Sequence, residues 1–319
     1  MKVSNNDFGR AFEYSFINEL YKSIQKHCGV VLVKNTPYRT CKGSWDRVPK
    51  TVQNDLALSA KIAVDKLLKS EPYLCDSTSV DPVELLIQPD RRGELGDVRD
   101  VVAQRISVNW NVGFSLKHNH FAVKHSRLSP TIDFGEKWFG VPCSLEYWEA
   151  VDPIFSLLSA NSGKSWRALL NKEDGIYLPV LNAFVNEVKR QAAKSSGMPQ
   201  RMVEYLLGRF DFYKIISVDD EQLVRIYAIN IHHTLNKSSS KKRSTTTIPI
   251  TKVPTRLVHI GIKPESKTTV EMIFNEGWSF SFRIHNASSK IENSLKFDIQ
   301  LIGIPASIFS MNCSWSDFG

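Results

Sequence analysis

Past residue 216 the hydrophobic pattern changes period, which limits the chain to folds that combine helices with an extensive sheet. Segments 223–229, 256–260, 269–274, 279–284 and 295–301 alternate apolar and polar side chains, as half-buried strands do. Upstream the period is helical. Phe8, Phe12, Phe16, Leu20 and Ile24 recur every four residues, so 7–27 is expected to be an amphipathic helix with Asp7 as its N-cap. Leu56, Leu58, Ala63, Val64 and Leu67 mark a second helix over 52–68. Apolar spacing at Ile154, Leu157 and Leu158, and again at Leu181, Phe184, Val185 and Val188, makes 146–215 mainly helical. Between them 73–96 is turn-rich, with Pro82, Pro89, Gly93 and Gly96. The expected class is α/β.

The length, 319 residues, suffices for one large domain or two modest ones. No apolar run approaches the length of a membrane-spanning helix, and Met-Lys-Val-Ser-Asn-Asn-Asp lacks the apolar core of a signal peptide, so a cytoplasmic protein is expected. Cys28, Cys41, Cys75, Cys143 and Cys313 are odd in number and include no Cys-x-x-Cys, which argues for reduced thiols and against a disulfide scaffold or a zinc ribbon. Lys plus Arg number 41 against 33 acidic residues, a net charge of +8. Such an excess suits a polyanionic partner through steering and counterion release, although many basic proteins bind no nucleic acid.

The most informative stretch is 101–117, two β-prone runs around a polar turn that read as an antiparallel hairpin. Pairing about residues 108 and 109 sets Asp100 opposite Lys117, with Glu94 and Asp97 just upstream. Carboxylates with one lysine suit metal-assisted phosphodiester hydrolysis: hard oxygens hold Mg²⁺, and an ammonium orients water or stabilises developing charge. The same spacing also suits a surface ion pair worth a few tenths of a kcal/mol. Residues 119–128 read as helical and 133–142 as an ordered aromatic loop. Three strings mislead. Gly163-Lys164-Ser165 lacks the first glycine of a P-loop, His118-Asn119-His120 is too contiguous to be a nuclease ββα unit, and no apolar strand follows Pro89-Asp90. His118, His120 and His125 have no cysteine or supporting spacing for zinc.

The blocks 96–102, 113–129 and 132–140, together with Gly9-Arg10-Ala11-Phe12-Glu13-Tyr14, 282–289 and 294–298, resemble the HaeIII family of type II restriction endonucleases, within the PD-(D/E)XK nuclease superfamily. The resemblance runs from the first helix almost to the C-terminus. It implies a restriction-endonuclease-like mixed β-sheet flanked by helices, and a Mg²⁺-dependent enzyme that cuts double-stranded DNA within GGCC. The host would be protected by a cognate methyltransferase. In this reading Asp100 holds the metal and Lys117 positions the nucleophile. The superfamily's acid two residues before the lysine is Ser115 here, a poor Mg²⁺ ligand without charge. Glu13 on the first helix is then the preferred compensating acid, Asp97 the second and Glu94 the third. The alternative is a DNA-binding protein of the same fold with weak or no cleavage.

Donors crowd the segment after the catalytic strand. His118, Asn119, His120, Lys124, His125 and Arg127 are expected to grip phosphates near the scissile bond. Residues 1–215 would form the nuclease core and 216–319 a β-rich recognition region. In that region Arg283, His285, Asn286, Lys296 and Asp298 carry the donors and acceptors that a G·C target demands in the major groove. The polar tract 236–247, with Lys237, Lys241, Lys242 and Arg243, is expected to be a flexible loop on the DNA backbone. A palindromic target favours a two-fold homodimer.

Overall fold

The computed structural model describes residues 4–89, 96–120, 122–239 and 243–318. It is an α/β protein with a seven-stranded mixed sheet and a five-stranded antiparallel sheet. The chain forms two compact units. One comprises 1–121, 208–251 and 307–319, the other 122–207 and 252–306. The units interleave along the sequence instead of meeting at residue 216.

In the first unit, α1 (Asn5–Ile24), α2 (Thr36–Arg47) and α3 (Lys50–Ser70) accompany β1 (Val30–Leu32), β2 (Val83–Ile87), β3 (Val101–Arg105), β4 (Trp110–His118), β6 (Phe212–Val218), β7 (Leu223–Ile229) and β12 (Phe309–Ser314). The order β1-β2-β3-β4-β6-β7-β12 places the expected hairpin strand β4 at the centre. α1 starts at Ser4, not Asp7: the Ser4 side chain accepts from the Asp7 amide, and Asp7 reciprocates as the third helical residue of a capping box. Its stripe of Phe12, Phe16, Leu20 and Ile24 is buried, with Phe16 5.1 Å from the ring of Phe114 on β4.

Two strands of this sheet fall outside the sequence expectations. β2 lies inside the segment read as turns, because the prolines at 82 and 89 bracket it and leave Val83, Leu85 and Ile87 buried on one face. β6 lies at the end of the segment read as helical. It is buried over six of its seven residues, so its apolar side chains form a run without alternation. The polar tract is fastened at its described ends: Asn236 N–H donates to Glu71 and its side chain to the Ser70 carbonyl, while Ser244 Oγ donates to the Lys69 carbonyl. Lys237 and Arg243 are exposed, and Lys241 and Lys242 lie outside the described residues.

The second unit contains β5 (Ala122–Leu128), α4 (Phe134–Phe139), α5 (Leu145–Ala160), α6 (Leu178–Lys194), α7 (Met198–Leu207), β8 (Leu257–Ile262), β9 (Thr269–Phe274), β10 (Ser279–His285) and β11 (Leu295–Gly303). Its sheet order is β5-β11-β10-β9-β8. Residues 122–128 are therefore a strand and not the expected helix: few of them are apolar, and pairing with β11 decides their conformation. The aromatic segment 133–142 includes a helical turn, α4, capped by Asp133 and closed by Gly140 at φ 72°. One face of the sheet is apolar. Phe282 and Phe297 pack on Trp138 and Phe184, with Phe184 and Phe297 rings 5.1 Å apart. Among the described residues no helix is long and apolar enough to cross a membrane.

Candidate active site

The β3–β4 hairpin turns over residues 106–109, and its register pairs Val101 with Phe114. Extending that register sets Asp100 opposite Ser115 and diagonal to Lys117, a shift from the direct Asp100–Lys117 pairing expected. Backbone bonds lock the carboxylate-bearing residue between two neighbours: Asp100 N–H donates to Phe114, and the Asp100 carbonyl accepts from Gln88 N–H. Alternation then places Ser115 and Lys117 on one face. Asp100 Oδ2 accepts from Ser115 Oγ at 3.2 Å, from Leu116 N–H at 2.7 Å and from Lys117 Nζ at 3.1 Å. Both charged side chains stay partly open, 23% and 22% exposed, so the centre can receive a ligand.

Lys117 is pulled two ways. Burial works against its charge, but the carboxylates of Asp100 and Glu13 outweigh this and raise its pKa above the usual value. Glu13 is thus a nearby negative charge that acts on Lys117. Glu13 is half-buried on α1, and its Oε2 accepts from Cys41 Sγ at 3.2 Å. Arg10, Glu13, Thr40, Cys41 and Gln88 line a cleft of about 280 Å³.

Asp97 does other work. Its carboxylate is forked by Arg99, Nε to Oδ1 at 2.7 Å and Nη2 to Oδ2 at 2.8 Å, and Oδ2 also accepts from Gln88. Arg99 is held in turn by Asn111 and by the Phe210 ring, 4.0 Å from the guanidinium carbon. This buried pair braces the entry to β3 and leaves Asp97 occupied. Glu94 lies outside the described residues.

Among the described residues, Asp100 and Glu13 are the carboxylates that could hold a metal here. Hard oxygens in such small number fit Mg²⁺, which takes one or two carboxylates and keeps several waters. Among the described residues no three His, Cys, Asp or Glu side chains gather as a ready-made cage.

The sequence did not single out Lys214. It sits on β6 in register with Ser115, 5% exposed, and its pKa is lowered to about 7 by burial first and by Lys117 second, against the opposing pull of Asp100. A lysine inside the apolar run Phe212-Tyr213-Lys214-Ile215-Ile216 was the available signal, because lysines are almost never fully buried without a reason.

The expected DNA-contacting residues divide. His118 packs its ring on Phe8 and bonds Asp219 at 2.7 Å, while Asn119, at φ 55°, exchanges hydrogen bonds with Asp219. These two fasten the end of β4 to the turn after β6. His120 is exposed. Lys124 donates to the Tyr205 carbonyl and lies 3.7 Å from that ring's centroid. Asn286 shapes its loop by donating to the Ser288 and Lys290 carbonyls. The remaining residues converge on the polar face of the five-stranded sheet. His125, Asp298 and Arg283 stand in one row across β5, β11 and β10, and Arg127, Lys296 and His285 in the next. Asp298 accepts from Arg283 at 2.8 Å and lies 2.7 Å from His125 Nδ1.

The family model for the HaeIII restriction endonuclease matches residues 9–305. The chain belongs to the HaeIII restriction endonuclease family. It is 48% identical to the type II restriction enzyme HaeIII of Haemophilus aegyptius over 320 aligned positions, covering 99% of this chain and all of that one. Membership in this family makes the chain a site-specific deoxyribonuclease, in agreement with the resemblance read from the 96–140 blocks.

Proposed function

We propose that this chain is a Mg²⁺-dependent homodimeric endonuclease that cuts double-stranded DNA within GGCC. The observation that carries the reading is the convergence of Ser115, the Leu116 amide and Lys117 on Asp100 Oδ2 at the centre of the sheet. Asp100 and Glu13 would hold the ion, which when bound polarises the phosphate and stabilises developing charge. The Lys117 ammonium orients water for in-line attack on phosphorus, leaving a 5′-phosphate and a 3′-hydroxyl. Ser115 and the Leu116 amide fix the Asp100 carboxylate, so its free edge faces the reacting groups without reorganisation. A G·C target needs donors for guanine O6 and N7, and the Arg283, His285, Lys296, His125 and Arg127 face offers them. One subunit per half-site matches a palindrome. The enzyme would work in the cytoplasm beside a methyltransferase that marks the same sequence.

Digestion of a mapped plasmid tests the reading. Mg²⁺ should yield discrete fragments whose ends fall in GGCC, EDTA should abolish them, and prior GGCC methylation should protect. Intact plasmid under all conditions, or ends scattered over unrelated sequence, would refute it.

A further inference from the structure

The second unit carries a cleft of about 990 Å³ where α6 runs beside β8, the outer strand of the five-stranded sheet. Lys189 and Lys194 line it from the helix, and Arg256, Val258 and His259 line it from the strand and its approach. Among the described residues no carboxylate does. Cations around the cleft are neutralised: Arg190 pairs with Glu187 and Glu146, Lys252 with Glu276, Lys263 with Glu271 and Lys267 with Asp174. Those inside it are not. Lys189, Lys194 and Arg256 are exposed and form no ion pair among the described residues, and Lys194 acts only at longer range on Glu146, which Arg190 holds at 3.7 Å. The cleft is also rigid at one wall, because the Thr255 and Arg256 N–H groups both donate to Asn275 Oδ1, at 2.9 and 2.8 Å.

Register ties this cleft to the face that offers donors for GGCC. His259 pairs with Ile273 and Ile273 with Ser279, so His259 shares the face of Ser279 and, four residues along β10, of Arg283. Two strand spacings and four residue rises set His259 and Arg283 about 17 Å apart. Four base pairs of duplex extend only about 14 Å. We infer that the cleft is a second, sequence-independent DNA site that holds phosphates of the duplex flanking the target, an inference that rests on the proposed reading of GGCC by the Arg283 face. The charge selects a polyanion as the occupant. A second copy of this chain would set the same cations against one another across a two-fold contact, and the bulge of β8 at Val258 spoils its edge for strand pairing. Lysine and arginine contacts to phosphate release counterions and fix orientation without reading bases. The enzyme thus draws affinity from DNA outside the base pairs it recognises.

Fluorescence anisotropy with Ca²⁺ in place of Mg²⁺ tests this on three duplexes: about 30 base pairs with a central GGCC, about 10 base pairs with GGCC, and about 30 base pairs without it. The variant combines Lys189→Gln, Lys194→Gln and Arg256→Gln, all at exposed positions that the fold does not depend on. On the long GGCC duplex it should lose about tenfold or more, and its plot of log affinity against log salt should be shallower by about 2–3, as three lost phosphate contacts require. On the short duplex, which lacks the flanks, the loss should stay under about twofold. The charge-keeping combination Lys189→Arg, Lys194→Arg and Arg256→Lys should bind the long duplex as wild type does. Equal losses on both lengths overturn the inference, and so does an unchanged affinity or salt slope on the long duplex. Comparison of the two long duplexes separates the levels. If wild type binds them equally, the reading of GGCC fails and leaves the cleft no target to flank. If wild type prefers GGCC but the Gln variant shows no length-dependent loss, the cleft alone fails.

Discussion

The side chain of Arg99 lies across Gly113 so closely that a Cβ at residue 113 would stand 1.8 Å from Arg99 Cδ. β4 must therefore carry glycine where the Arg99–Asp97 pair crosses it, two residues before Ser115. Gly113→Ala should destabilise the protein by about 1–3 kcal/mol through overpacking. Arg99→Ala should cost about 3–5 kcal/mol by stranding the buried Asp97 carboxylate. Because alanine at 99 removes the clash, the double variant should be less destabilised than the sum of the singles, a coupling that urea unfolding measures directly. Additive losses would mean that the Arg99 side chain moves aside freely.

Lys117→Ala should abolish cleavage while binding to a GGCC duplex survives, because the ammonium acts on the reaction and not on the fold. Asp100→Ala should behave likewise and lose the metal dependence of binding. Glu13→Gln should cripple cleavage with little effect on thermal stability. A Lys117→Ala or Asp100→Ala rate above about a tenth of wild type, less than ~1.4 kcal/mol on the barrier, would remove these residues from the centre.

Much of this centre was legible in the sequence, for identifiable reasons. Strand alternation places Ser115 and Lys117 on one face whatever the rest of the chain does, and β7 and β9 alternate cleanly because one face of each is buried. The register was less legible. The turn takes four residues, so Asp100 meets Ser115 and reaches Lys117 diagonally. β6 escaped because burial on both faces erases the alternation, and Lys214 escaped with it. Asp97 and His118 are polar residues whose partners, Arg99 and Asp219, emerge only from side-chain geometry and, for Asp219, from a turn about a hundred residues away.

Glu71 should give stability a pH slope of its own. It is fully buried at the end of α3, where Oε1 accepts from the Tyr213 hydroxyl and Asn236 N–H, while Oε2 has no hydrogen-bond partner among the described residues. Burial raises its pKa to about 7 from 4.5 against those two donors. The folded protein keeps this proton up to about pH 7, whereas the unfolded chain releases it near pH 4.5. Stability from this group is therefore present below pH 4.5, falls as pH rises, and is lost above pH 7, a span of about 3 kcal/mol. Glu71→Gln cannot ionise, so its advantage over wild type in urea unfolding should grow from near zero at pH 4.5 to about 2–3 kcal/mol at pH 8. Parallel stability curves for the two proteins would mean that Glu71 is ionised in the fold at little cost.

On the polar face of the five-stranded sheet Arg283 is the most open cation of its row, 63% exposed, yet one of its terminal nitrogens is anchored to Asp298 at 2.8 Å. Asp298 is held below the usual carboxylate range. Burial works to raise its pKa, but the Arg283 hydrogen bond and the nearby His125 and His285 prevail. An anchored guanidinium loses less side-chain entropy on docking, and its remaining N–H groups suit guanine O6 and N7. Arg283→Ala should then cost about 1–3 kcal/mol on a GGCC duplex and much less on random sequence, measured at one fixed salt concentration. Asp298→Asn keeps the shape but frees the arginine, so it should lose part of that discrimination and none of the nonspecific affinity. If Arg283→Ala weakens both duplexes equally and flattens the salt dependence, Arg283 is a phosphate contact, and discrimination passes to Lys296 and His285 in the adjacent row.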